Sequence, residues 1–209
     1  MDQEDMPQVQ DGLRFGALGD RCLHLCVDMQ NLFSKGCPWE TPWMERVLPA
    51  VEALAERHAE QTIFTRFIPL RSPREGRGTW RRYYERWQEM RLDALPPEAI
   101  DLLPPLLRFV PPGEVLDKTV YSPWSGPGLE ERLRARGVDT LVITGAETDV
   151  CVLAAVLGAV DRGYRVVLPT DALCSSSDRT HDALLALYRE RYGQQVETVR
   201  MAEILSAWD

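Results

Sequence analysis

Asp28 closes the apolar run LHLCV, Lys118 sits in DKTVYS, and Cys151 follows TLVITGAETDV. Each stands where a strand-like segment runs out. A thiol, a carboxylate and an ammonium brought together could carry out nucleophilic hydrolysis. Cys151 would attack as the thiolate, a form that the unpaired N–H groups and positive dipole end of a helix start favour. Thr148 is placed to cap that helix, and N–H groups of the same turn could hold a developing oxyanion. Asp28 would take the thiol proton and later protonate a leaving group. Lys118 is one of only two lysines, with Lys35, among 24 Lys and Arg residues. An ammonium is a compact, movable charge and a guanidinium is not, so beside Asp28 it would keep the carboxylate ionised. Each residue also has a plainer reading: a packed thiol, a turn-forming carboxylate, a solvated lysine.

Strand candidates alternate with helix candidates along the chain. The strands are read at 23–29, 62–67, 114–121, 140–146, 164–172 and 194–201. Helical patterns fill 42–60, 128–137, 149–163 and 177–193, and a short one closes the chain. This alternation implies βαβ units and an α/β fold: three αβα layers on a doubly wound, mostly parallel six-stranded sheet. In such sheets ligands bind beyond the carboxyl ends of the strands, where Asp28, Arg66, Lys118 and Cys151 all fall.

One segment breaks the alternation. Residues 68–113 are rich in Pro, Arg and aromatics, and Trp80, Tyr83, Tyr84 and Trp87 recur at helical spacing. The segment is expected to cover the sheet, form a subunit interface or shape a substrate pocket. Trp80, Tyr84, Trp124 and Arg66 are the candidate substrate contacts. Arg66 suits a substrate carboxylate through a bidentate pair, or else a structural ion pair.

Composition narrows the class. The net charge of −8 argues against nucleic-acid binding, which needs a basic surface. No apolar run approaches the roughly 20 residues of a membrane span. Five cysteines at irregular spacings fit free thiols in the cytoplasm. The polar, acidic start is unlike a secretory signal. Residues 1–19 are expected to be a loose leader to one domain over 20–209. Cys22, His24, Cys26 and Asp28 share one strand face, but adjacent ligands on one strand rarely converge on an ion, so no metal site is expected. No phosphate loop or Gly-x-Gly-x-x-Gly turn follows a strand.

VDMQNLF, DKTVYS and TGAETDVCV, in this order, resemble the three signatures of the isochorismatase-like cysteine hydrolases. The resemblance runs from about residue 20 to the end. It implies a Cys-Asp-Lys triad at Cys151, Asp28 and Lys118, and a cis peptide between Ala146 and Glu147. It also implies an oxyanion hole from the Glu147 and Cys151 N–H groups. The zinc-dependent nicotinamidases of this family carry an Asp-His-His site after the second strand, where this chain has FTRFIPL and no histidine. The vinyl ether hydrolases of the family lack the cysteine. The resemblance therefore implies cleavage of a C–N bond in a small amide, carbamoyl or ureido compound, with no cofactor and no metal. The expected partners are a small-molecule substrate and further copies of the chain, as a dimer or tetramer. A vinyl ether hydrolase and a non-catalytic scaffold are the alternatives.

Overall fold

Continuous apolar strands need cover on both faces, and this sheet has it. The computed structural model describes residues 12–208. Its strands and helices run β1 Cys22–Val27, α1 Met44–Arg57, β2 Thr62–Phe67, α2 Thr79–Arg86, α3 Pro104–Leu107, β3 Glu114–Lys118 and α4 Gly128–Ala135. They continue as β4 Thr140–Ala146, α5 Cys151–Asp161, β5 Arg165–Pro169, β6 Leu173–Cys174, α6 Asp178–Arg191, β7 Val196–Val199 and α7 Met201–Ala207. The sheet order is β3-β2-β1-β4-β5-β7, with β6 pairing beside β4. Every one of these pairings is parallel.

The chain starts at the sheet centre with β1, builds to one edge through β2 and β3, then crosses back to β4. The strand order therefore reverses between β1 and β4, where such sheets open a crevice for ligands. Seven strands form where six were expected. The extra one, β6, has two residues, too few to show a period of its own.

Period-two alternation splits each strand between two cores. Cys22, Cys26, Phe64, Val142 and Val167 pack with Val47, Val51 and Leu54 of α1 and Ile204 of α7. Leu23, Leu25, Ile63, Leu141 and Ile143 pack on the other side with Leu129 and Leu133 of α4, Val152 and Val156 of α5, and Tyr188 of α6. Helix α5 buries Val152, Ala155, Val156 and Ala159, the i, i+3, i+4, i+7 stripe of a helix docked on a sheet. His24 is fully buried mid-strand, its ring nitrogens 3.2 Å from Thr62 Oγ1 and 2.8 Å from Thr144 Oγ1. Burial, aided by His58, pulls its pKa down to about 3, so it stays neutral.

The leader expected to be loose over 1–19 is held across residues 12–18. Gly12 N–H donates to the Thr198 carbonyl at 2.8 Å, Phe15 N–H to Glu197 Oε1 at 3.1 Å and Leu18 N–H to the Ala207 carbonyl at 3.1 Å. Leu18 also bridges to Trp208. The rest of that leader, residues 1–11, lies outside the described residues. No helix among the described residues is long and apolar enough to cross a membrane.

Candidate active site

Asp28 is the first residue beyond β1, and its backbone is left-handed at φ 50°. Non-glycine residues seldom adopt that region, although aspartate tolerates it better than most. The turn aims the carboxylate along the carboxyl end of the sheet, where β2 fixes it. Thr65 Oγ1 donates to Asp28 Oδ1 at 2.5 Å, and the Asp28 N–H lies 3.2 Å from both the carbonyl and the hydroxyl of Thr65. Gln30 staples the same turn to β2. It accepts from the Phe67 N–H at 2.7 Å and donates to the Phe67 and Ile100 carbonyls.

Lys118 ends the edge strand β3 and reaches inward. Its Nζ is 2.7 Å from Asp28 Oδ2, 3.2 Å from the Val120 carbonyl and 3.4 Å from Cys151 Sγ. An ammonium has three protons, and these three acceptors take them all. The Phe67 ring lies below, 5.2 Å from Nζ. Burial works against the lysine charge, but Asp28 and Cys151 outweigh it and hold its pKa above the ordinary value.

Cys151 opens α5, where β4 stops. Gly145 makes the close approach possible. Its φ is +104°, and a Cβ there would collide with the Val27 carbonyl, so β1 and β4 run nearly in contact just before Asp28 and Glu147 emerge. The Ala146–Glu147 peptide is cis. Val150 and Val152 N–H groups both donate to the Glu147 carbonyl, at 3.1 and 3.0 Å. The Cys151 N–H is given to no turn or capping carbonyl among the described residues.

Two local expectations are corrected. Thr148 does not cap α5, because the cap position is Val150, with no side-chain cap bond. The Thr148 hydroxyl instead donates to the Cys174 carbonyl at 3.1 Å and contacts His181 Nδ1 at 2.8 Å, which ties the turn to β6 and α6. Nor does the helix start make the resting thiol acidic. Burial pushes the Cys151 thiol well above its ordinary value, the Asp28 charge adds to this, and Lys118 only opposes it. The resting arrangement is thus a neutral thiol beside a carboxylate–ammonium pair.

A cavity of about 360 Å³ opens above Cys151. Six aromatic rings wall it: Phe33, Trp39, Phe67, Tyr83, Trp87 and Tyr121. Trp39 is their centre, its ring centroid 5.8 to 6.2 Å from those of Phe33, Phe67, Tyr83 and Trp87. Burial pushes the Tyr83 and Tyr121 hydroxyls above the ordinary tyrosine value, so they are neutral phenols. Two carboxylates, Glu40 and Glu147, complete the lining with Pro38, Val150 and Ser176.

The four candidate substrate contacts all fall elsewhere. Arg66 faces away, held by Asp117 through Nε at 2.7 Å and NH2 at 2.9 Å, with Asp101 alongside. It is the structural ion pair. Trp124 is packed under α5, its indole N–H donating to the Ala155 carbonyl at 2.9 Å. Gly158 leaves room for that indole, since a Cβ would collide with it. Tyr84 is fully buried, and Trp80 stands behind the wall, in ring contact with Phe67, Tyr83 and Tyr121. The i, i+4 pair Tyr83 and Trp87, three residues further along and ending at the C-cap of α2, faces the cavity instead.

Among the described residues, no group of three or more His, Cys, Asp or Glu side chains is arranged to hold a metal ion.

A doubly wound sheet with a cysteine, an aspartate and a lysine meeting at its switch point defines a class, and the comparisons agree. A family model described as Isochorismatase domain matches residues 22–200, and the chain belongs to that family. An uncharacterized isochorismatase family protein of Bacillus subtilis, PncA, is 35% identical over 81 residues, which cover 39% of this chain and 44% of that protein. N-carbamoylsarcosine amidase of Arthrobacter sp is 26% identical over 163 residues, covering 74% of this chain and 60% of the amidase. The chain thus spans about half the length of these curated relatives. A cysteine hydrolase from Pseudomonas syringae pv. phaseolicola shares the fold, with a TM-score of 0.79 at 20% identity over 95% of this chain and 97% of that one.

Proposed function

We propose that this chain is a cysteine hydrolase that cleaves the C–N bond of a small amide, carbamoyl or ureido compound through a thioester. The observation that carries the reading is the meeting of Lys118 Nζ with both Asp28 Oδ2 and Cys151 Sγ at the floor of an open cavity. Likeness to an N-carbamoylsarcosine amidase supports the same chemistry.

In the proposed reaction Asp28 accepts the Cys151 proton as the sulfur attacks the carbonyl carbon. Because the resting thiol is held protonated, the thiolate exists only as the C–S bond forms, and proton transfer and attack are coupled. The carbonyl oxygen becomes an oxyanion facing the Glu147 and Cys151 N–H groups. Collapse of this intermediate breaks the C–N bond, and Asp28 returns its proton to the departing nitrogen. A water then loses a proton to Asp28 and attacks the thioester. When the C–S bond breaks, that proton goes back to sulfur. Lys118 stays protonated throughout and stabilises the negative charge as it moves between carboxylate and sulfur.

Ammonia release across a panel of small amides, carbamoyl amino acids and ureides tests the reading, with Cys151→Ala as the control. The reading expects release from at least one member of the panel and none from the variant. A vinyl ether hydrolase would instead keep its activity when Cys151 is replaced. A scaffold would release nothing in either form.

A further inference from the structure

The cavity wall carries information about the substrate that the catalytic floor does not. Its lining holds six aromatic rings and two carboxylates, and no arginine or lysine. Glu40 lends Oε2 to the Gly36 N–H at 2.8 Å, and Glu147 lends Oε1 to the Ser176 N–H at 2.9 Å. These bonds fix each carboxylate and leave each an oxygen for other partners. Two cations stand close to the wall without lining it: Lys118 is spent on Asp28, Val120 and Cys151, and the exposed Arg86 lies over the Trp87 ring, 5.3 Å from its centroid. Arg66, the one candidate for a substrate carboxylate, is closed off by Asp117 and Asp101.

A substrate carboxylate entering this space would leave water for negative ring faces and two fixed negative charges, with hydroxyls to bond but no cation in the lining to pair it. A cation would meet the reverse. Aromatic rings attract cations through their quadrupoles, and they do so best for alkylammonium groups that cling weakly to water. Glu40 and Glu147 add Coulomb attraction inside a partly desolvated site.

We infer that the substrate is an amide or carbamoyl compound whose non-reacting end is an alkylammonium cation, seated against Trp39, Trp87 and Tyr83 with Glu40 beside it. The inference rests on the hydrolase reading above and adds the substrate class. It separates this chain from the amidase it resembles, since N-carbamoylsarcosine carries a carboxylate.

Three probes decide it. Betaine amide carries a trimethylammonium group. Its uncharged isostere has carbon in place of the quaternary nitrogen, so the two hardly differ in shape; each rate is normalised to hydroxide hydrolysis of the same amide, because the ammonium also activates the neighbouring carbonyl. N-carbamoylsarcosine supplies the carboxylate. With the intact protein, kcat/KM for ammonia release should favour betaine amide over the isostere by about tenfold or more, with N-carbamoylsarcosine slowest. Glu40→Gln should reduce the rate on the cation several-fold more than the rate on the isostere, a split that misfolding would not produce. Equal rates on cation and isostere would overturn the inference, as would a faster carboxylate or an equal loss on both probes in Glu40→Gln.

A binding measurement keeps the two readings apart. Tetramethylammonium should quench the tryptophan fluorescence of the Cys151→Ala protein saturably. Quenching with no ammonia from any probe would keep the cation site and remove the hydrolase. Ammonia from the isostere with no quenching would keep the hydrolase and remove the cation site.

Discussion

Lys118 and Asp28 form an ion pair 2.7 Å long, with side chains 2% and 0% exposed. A pair this deep is a poor source of stability, because desolvating two charges costs about as much as their attraction returns. Its value is in placing a base and a positive charge against one sulfur. Removing one partner, as in Lys118→Met, strands the other charge and is expected to cost about 3–5 kcal/mol. Removing both, as in Asp28→Asn with Lys118→Met, is expected to restore most of that stability and none of the activity. Urea melts of the two proteins, read beside ammonia release, check this. A double variant as unstable as the single one would show that the pair is structural.

Asp28→Asn separates thiol reactivity from turnover. The Asp28 charge helps hold the Cys151 proton on, and Lys118 favours its loss. Neutralising the carboxylate leaves the lysine unopposed, so the thiol becomes more acidic. Alkylation of Cys151 by iodoacetamide at neutral pH is expected to speed up in Asp28→Asn by several-fold, while hydrolysis stops. Slower alkylation would mean that Asp28 activates the resting thiol directly. Peptide mapping isolates the signal, since Cys22, Cys26 and Cys174 are buried and Cys37 is half-buried.

The pH profile follows from two raised groups. Lys118 sits above its ordinary value of 10.5. The stability its charge contributes is fully present below that value and is lost only as pH rises through the higher folded one. Cys151 sits well above 9.0, so its proton also stays on in this range. With both groups unchanged, kcat/KM is expected to be flat between about pH 7 and 9. An inflection near the ordinary cysteine value of about 8.5 would contradict this assignment.

Trp124 and Trp87 should part company in kinetics. Trp124→Phe loses the bond to the Ala155 carbonyl and should lower stability by about 1–3 kcal/mol, with KM unchanged. Gly158→Ala drives a Cβ into the same indole, and overpacking of this kind costs about 1–3 kcal/mol. Trp87→Leu should instead raise KM with little loss of stability, because its ring is part of the cavity wall. Thermal melts and substrate titrations on the three variants separate these outcomes.

The alternation of strands and helices was legible because a sheet covered on both faces demands continuous apolar runs such as LVI at 141–143 and VVL at 166–168. Asp28, Lys118 and Cys151 were legible because each ends or follows a strand and stands in a motif that resembles a family signature; Arg66 lies near a strand end without such a motif. The cavity wall was not. Trp39 and Tyr121 lie outside helix and strand, and Phe33 ends a three-residue 3-10 turn, Asn31–Phe33, too short to show a period. On α2 the spacing reveals an aromatic face, but not which stripe of it meets the cavity, and the pair Tyr83 and Trp87 lies only three residues on from the pair Trp80 and Tyr84. Thr65 was hidden for another reason. Its bond to Asp28 depends on the β1–β2 register, which pairs Cys26 with Phe64 and which no local pattern states.

Rapid acid quenching of the protein during turnover of a small amide, followed by mass mapping of the Cys151 peptide, tests the central claim most directly. The account predicts an acyl group on Cys151 and on no other thiol, absent from Asp28→Asn. Steady ammonia release with an unmodified Cys151 peptide, and undiminished in Cys151→Ala, would contradict it.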